Sequence, residues 1–164
     1  MPLCLPSRGT VPPVKAFLYR IYQRWLRFRP AHLTVGVRAI VVDPEGRICL
    51  VRHTYRDGWF LPGGQVKPGE SLVAAMAREL HEETGISLPE NPKRVLGVYS
   101  SFAEHRSDHI VVFVLNDWTM EPSRSGEIAE IGFFPPDELP TGTSAATRRR
   151  VKEFVTGVPP GHRW

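Results

Sequence analysis

The stretch GQVKPGESLVAAMARELHEETGI, from Gly64 to Ile86, decides the reading of this chain. Glu79, Glu82 and Glu83 stand at i, i+3 and i+4, and a helix turning about 100° per residue places all three on one face. Like charges at these spacings repel by roughly 0.2–0.5 kcal/mol per pair, and no lysine lies among them. A cation would relieve the repulsion. Hard divalent ions such as Mg²⁺ take oxygen ligands and are commonly held by one or two carboxylates together with substrate phosphates. The apolar stripe expected of this helix, Leu72, Val73, Met76, Ala77 and Leu80, runs beside the acids, so the acidic face borders the core.

Upstream, Leu61-Pro62-Gly63-Gly64 and Lys67-Pro68-Gly69-Glu70 bracket a loop whose glycines and prolines permit tight turns and close backbone approach to a ligand. Glu70 is placed to fold back onto Arg78, which also stands beside Glu79 and four residues before Glu82. Gly85 closes the helix.

These residues resemble the signature of the Nudix hydrolases. Gly64, Glu70, Arg78-Glu79-Leu80, Glu82-Glu83 and Gly85-Ile86 fill its constrained places, and the wider resemblance covers roughly residues 33–156. The resemblance implies an α/β/α sandwich with a mixed β-sheet. It further implies hydrolysis of a nucleoside diphosphate linked to another moiety, such as a nucleotide or sugar, with one or more Mg²⁺ or Mn²⁺ ions. Glu82 and Glu83 become the principal metal ligands, joined by the Gly63 carbonyl. Glu79 either shares the metal or accepts the proton of the attacking water; Arg78 orients Glu79, and Glu70 completes that network. Family members recruit a further acid from a distant loop, and Glu104 and Glu127 are the candidates here. Arg52 and Arg56 are candidates for contact with substrate phosphate, and Trp59 for stacking on a base; their ordinary alternatives are surface charge for the arginines and core for the tryptophan.

Which substrate is cleaved does not follow. Places where ADP-ribose-cleaving members tend to carry Pro hold Ser101 and Phe102, and those where dinucleoside polyphosphate hydrolases tend to carry Tyr hold Ala103 and Glu104. No coenzyme A signature is recognisable. One rival reading is a nucleotide-sensing module without catalysis, which the presence of all three box carboxylates opposes. Another is an RNA-end pyrophosphohydrolase, for which the basic termini would form the RNA surface.

At 164 residues and 41% hydrophobic content the chain is expected to be one globular domain. No apolar run approaches the roughly 20 residues of a membrane span. The start, MPLCLPSRGTVPP, lacks the pattern of a signal peptide, so a cytoplasmic location is expected. Cys4 and Cys49 form no metal or redox motif, and Cys49 reads as core. Lys and Arg against Asp and Glu number six to none over 1–30, ten to sixteen over 31–142, and five to one over 143–164. The net charge of +4 therefore conceals an acidic middle between basic ends, and says little about nucleic-acid binding by the core.

Expected boundaries are a tail and amphipathic helix over 1–30, the hydrolase domain over 31–158 and a C-terminal tail over 159–164. Val14, Phe17, Leu18, Ile21, Tyr22, Trp25 and Leu26 form the apolar stripe of that first helix, with basic residues around it. It is read chiefly as packing on its own domain or on a second copy in a homodimer, and less as lying on an anionic membrane. Leu33–Val42 and Arg47–His53 read as a hairpin about Asp43-Pro44-Glu45-Gly46. Further strands are expected over Val95–Tyr99, His109–Leu115 and Glu130–Phe134, and a last helix over Ser144–Val155 with Ser144 as N-cap and Gly157 beyond its end.

Overall fold

The computed structural model describes residues 33–89, 94–102, 107–121 and 126–164; the first amphipathic helix and Glu104 lie outside them. Strand β1 (Leu33–Val41) runs parallel to β5 (Ser107–Leu115), whose other edge pairs antiparallel with β4 (Arg94–Ser101). Strand β2 (Ile48–His53) pairs antiparallel with β7 (Ile128–Phe134), and two short strands, β3 (Ile86–Ser87) and β6 (Thr119–Met120), pair with each other. Helix α1 is Leu72–Thr84 and helix α2 is Ala145–Thr156.

Alternation along the central strand sets the layers. Val111, Phe113 and Leu115 join Val37, Ala39 and Val41 in a cluster closed by Ala75, Met76 and Leu80 of α1. Ile110, Val112 and Val114 point the other way, into a cluster with Ile40, Tyr99 and Val151 of α2. With both faces covered, β5 is buried continuously from Ile110 onward, as an interior strand with a parallel partner is. The mixed sheet therefore lies between α1 and α2.

Three expectations are revised. The Asp43–Arg47 turn forms, with Arg47 N donating to Asp43 Oδ1 at 2.7 Å, but only the bridge Val42–Ile48 links the two strands. Beyond it β1 joins β5 and β2 joins β7, because burial of both strand faces outweighs the local hairpin. In α1, Leu72, expected in the apolar stripe, is 38% exposed, while Ala75 is fully buried: the buried face is turned slightly from the expected one. The tail expected over 159–164 is part of the folded body. Ser100 N donates to His162 O at 2.9 Å and Trp164 N to Ser100 O at 3.1 Å, which extends the sheet beyond β4, and Trp164 packs against the second cluster.

Candidate active site

The loop ahead of α1 is laid along β1. Ala39 N donates to Pro62 O at 3.0 Å, Val37 N to Gly64 O at 2.9 Å and Val66 N to Val35 O at 2.9 Å. Gly63 adopts φ 129°, and a Cβ there would run into Val37 O, so this close approach requires glycine. A Cβ on Gly64 would collide with the Glu79 carboxyl group, which occupies that space. Helix α1 begins at an N-cap that the sequence reading missed, Ser71, whose hydroxyl accepts from Ala74 N at 3.1 Å; the signal was a serine immediately before the helical periodicity. It ends at Gly85, with φ 74°, whose N–H returns to His81 O.

Arg78 gathers the acids of the helix and loop. Its Nε and Nη2 donate to the two Glu70 oxygens at 2.7 and 2.9 Å, its Nη1 to Glu79 Oε1 at 2.7 Å and to Glu82 Oε2 at 3.3 Å, and Nη2 also reaches Gln65 O at 3.1 Å. Bonds from Arg78, and one from Lys67 N, hold the Glu70 carboxyl down at about 2, and those from Glu70 raise Arg78 in turn. The network is tied down at Glu70 and open at Glu82, whose side chain is 54% exposed.

Glu83 faces inward. It is 9% exposed and accepts from Gly63 N at 2.7 Å. Burial pushes its carboxyl up to about 7; the Gly63 N–H and the charge of Arg38 oppose this, and Glu79 and Glu127 add to it. The charge of the loop acid Glu127 is thus felt at Glu83. The Gly63 carbonyl takes no hydrogen bond among the described residues.

An oxygen-binding divalent cation fits this donor set. Glu83 is an anion disfavoured by burial and by neighbouring acids, the Gly63 carbonyl is unpaired among the described residues, and every acidic group offers hard oxygen. As the side chains stand, no three His, Cys, Asp or Glu among the described residues converge as a metal cluster. Arg78 Nη1 lies between Glu79 and Glu82, so an ion would draw the exposed Glu82 away from its weakest contact.

Other candidates fall elsewhere. Trp59 is 9% exposed and meets Phe134 edge-on at 5.0 Å between centroids, within the cluster under α2 and across the sheet from the acids. It is core, and not open for stacking on a base. Arg52 is engaged by Glu130 across β2 and β7, with Nη2 to Oε2 at 2.6 Å. Arg56 lies 4.2 Å over the Phe60 ring. Reasoning from sequence overlooked Arg38 and His53. Arg38 sits in the middle of an apolar strand run, where a lone charge signals an interior requirement, and its charge acts on Glu83 and on His53.

An α/β/α scaffold with acids gathered at one helix edge beside a glycine loop belongs among the hydrolases of phosphate anhydrides. The NUDIX domain model matches residues 32–154, and the chain belongs to the Nudix hydrolase family. It is 30% identical over 125 residues to a putative 8-oxo-dGTP diphosphatase of Bacillus subtilis, a match covering 76% of this chain and 82% of the relative. It is 32% identical over 127 residues to an ADP-ribose pyrophosphatase of Methanocaldococcus jannaschii, covering 74% and 69%. Among solved structures, a MutT NUDIX hydrolase from Burkholderia pseudomallei aligns with a TM-score of 0.64 at 29% identity, over 74% of this chain and 97% of that one. The chain is accordingly an enzyme that cleaves pyrophosphate bonds in nucleoside diphosphate derivatives.

Proposed function

We propose that the chain performs this hydrolysis at the edge of α1, with Glu82, Glu83, Glu79 and the Gly63 carbonyl holding Mg²⁺ or Mn²⁺. The observation that carries the reading is Glu83, a carboxylate buried beside further acids and bonded by the Gly63 N–H of the substrate-facing loop. When bound, such a cation neutralises crowded phosphate charge and lowers the pKa of a coordinated water.

The chain's own groups divide the remaining work. Glu79 Oε1 is fixed by Arg78 Nη1, which leaves Oε2 to share in ion binding or to accept the proton of the attacking water. Arg78 orients Glu79, and the bidentate Glu70 clamp fixes Arg78. Tight packing of the Gly64 backbone against the Glu79 carboxyl keeps that oxygen at the loop where substrate phosphate lies. Glu127 is the further loop acid, because its charge acts on Glu83. No helix among the described residues is long and apolar enough to cross a membrane, and we place the enzyme in the cytoplasm, acting on a nucleotide-type small molecule.

The experiment is a screen of nucleoside diphosphate compounds with Mg²⁺ or Mn²⁺, with products identified by mass. Cleavage within the pyrophosphate linkage that stops on addition of EDTA is expected. Robust turnover in chelator would defeat the metal assignment.

A further inference from the structure

Strand β4 is the outer strand of its sheet. Among the described residues it pairs with β5 on one side, and on the other meets a further backbone only at Ser100, which bonds to His162 and Trp164. Because Ser100 turns its N–H and C=O away from β5, Ser100 and His109 are a pair without mutual backbone bonds. Alternation along β5 makes Val98–Val111 and Val95–Phe113 pairs of the same kind. The N–H and C=O of Val95 and Val98 therefore face outward, and no backbone group meets them there among the described residues.

The side chains of this edge are as open as its backbone. Val95 and Val98 stand on the face of Val111 and Phe113, yet no β4 residue joins the cluster under α1, and the two valines are 48% and 57% exposed. Exposed edges are commonly guarded by a charge. Arg94, at the start of this one, is turned over the Phe154 ring of α2, 5.6 Å from its centroid. The edge also has an unusual register. A regular strand turns every second residue to one edge, whereas β4 turns out Val95 and Val98, three apart, because Leu96 is inserted as a bulge against β5. A strand lacking that insertion falls out of register between the two valines. A second β4 carries the same insertion and stays in register.

We propose that the outer edge of β4, from Arg94 to Val98, is an interface with a second copy of this chain, the two strands antiparallel about a two-fold axis. Val95 lies opposite the partner's Val98, and Val98 opposite the partner's Val95, so one patch completes itself twice. Each valine then gains the backbone bonds that its outward groups lack, and the four side chains cover one another on one face of the joined sheet. His162–Trp164 holds the next outward position, Ser100, and bounds the interface there. This surface is separate from the apolar stripe of residues 14–26 and from the acidic edge of α1.

Sedimentation velocity of the full chain, from about 1 µM to about 1 mM, covers the affinities of a small interface. A concentration-dependent equilibrium between monomer and dimer is expected. Val98→Pro removes the outward N–H at an edge position, where proline is tolerated, and the loss counts twice in the dimer. It should weaken dimerisation at least about tenfold, the worth of one or two hydrogen bonds. Val98→Lys, a charge on an already exposed side chain, should do the same, whereas Val155→Lys, at an equally exposed valine of α2, should leave the dimer unchanged. A chain that stays monomeric throughout overturns the proposal. Undiminished dimerisation in Val98→Lys also overturns it, and that variant decides should Val98→Pro fail to fold. A dimer lost in Leu18→Glu but kept in Val98→Lys would assign the second copy to the stripe of residues 14–26, against the proposal.

Discussion

Two arginines organise this molecule in opposite ways. Arg150 of α2 is sealed: its side chain is 2% exposed, Nη2 donates to Glu153 Oε1 at 2.7 Å, Nη1 to Arg163 O at 2.9 Å, and its guanidinium stacks 3.9 Å over Tyr99. Tyr99 Oη in turn donates to the other Glu153 oxygen at 2.8 Å, so one cation meets one carboxylate. Arg78 of α1 is 20% exposed and serves three carboxylates, Glu70, Glu79 and Glu82, with Glu83 close behind. The first network is balanced and closed by aromatic rings. The second leaves negative charge unbalanced, with its free end toward solvent. Balance serves the fold, whereas the imbalance makes sense when a cation and an anionic substrate complete it.

The contrast is broken most severely by Glu82→Gln, which keeps the shape and removes one charge. Turnover should fall on the order of 10²-fold or more, the range for removing a positioned catalytic group. The metal-free protein should remain folded or gain slightly, since a repulsion with Glu79 is lost. Steady-state kinetics and thermal melting of the same preparation read both effects. Arg150→Ala should do the reverse. Removing one member of a buried pair costs about 3 kcal/mol or more, measured as a shift in urea unfolding, while kcat of the folded enzyme is retained. A large kcat loss in Arg150→Ala with normal stability would erase the distinction.

A smaller effect sharpens it through pH. Because folding raises Glu83 from 4.5 to about 7, the folded state binds the proton more tightly than the unfolded chain. The resulting stabilisation is full below about 4.5 and is lost as pH rises through about 7. Metal-free protein should therefore lose stability across this window, and Glu83→Gln should flatten the profile. Glu70 acts in a separate window, because its depressed carboxyl costs stability only as pH falls from 4.5 toward about 2. Chemical denaturation at stepped pH in EDTA checks the sign.

Much of the acidic region was legible in the sequence because its logic is local. Spacing on one helix places Glu79, Glu82 and Glu83, Gly85 ends that helix, and Arg78 lies within reach of Glu70. Ser144 and Gly157 bound the last helix for the same reason. What escaped depends on distant pairing. Whether β1 pairs with β2 or β5 is settled by burial on both faces, which turn residues do not encode. The His162–Trp164 segment reads as a polar tail until Tyr99 and Arg150 are seen beneath Trp164. Arg38 and His53 lie on different strands, so the action of the one charge on the other ring has no signature in either stretch.

The central claim, that the unbalanced carboxylates around Arg78 hold a divalent cation, is tested most directly by Mn²⁺ titration monitored through water-proton relaxation, above pH 7 where Glu83 is ionised. Wild-type protein and Glu130→Gln, which removes an exposed acid paired with Arg52, should bind Mn²⁺ alike. Glu82→Gln should bind at least about tenfold more weakly, since even outer partners of metal sites commonly cost that much. Equal Mn²⁺ affinity in wild type and Glu82→Gln, or no binding by wild type, would contradict the account.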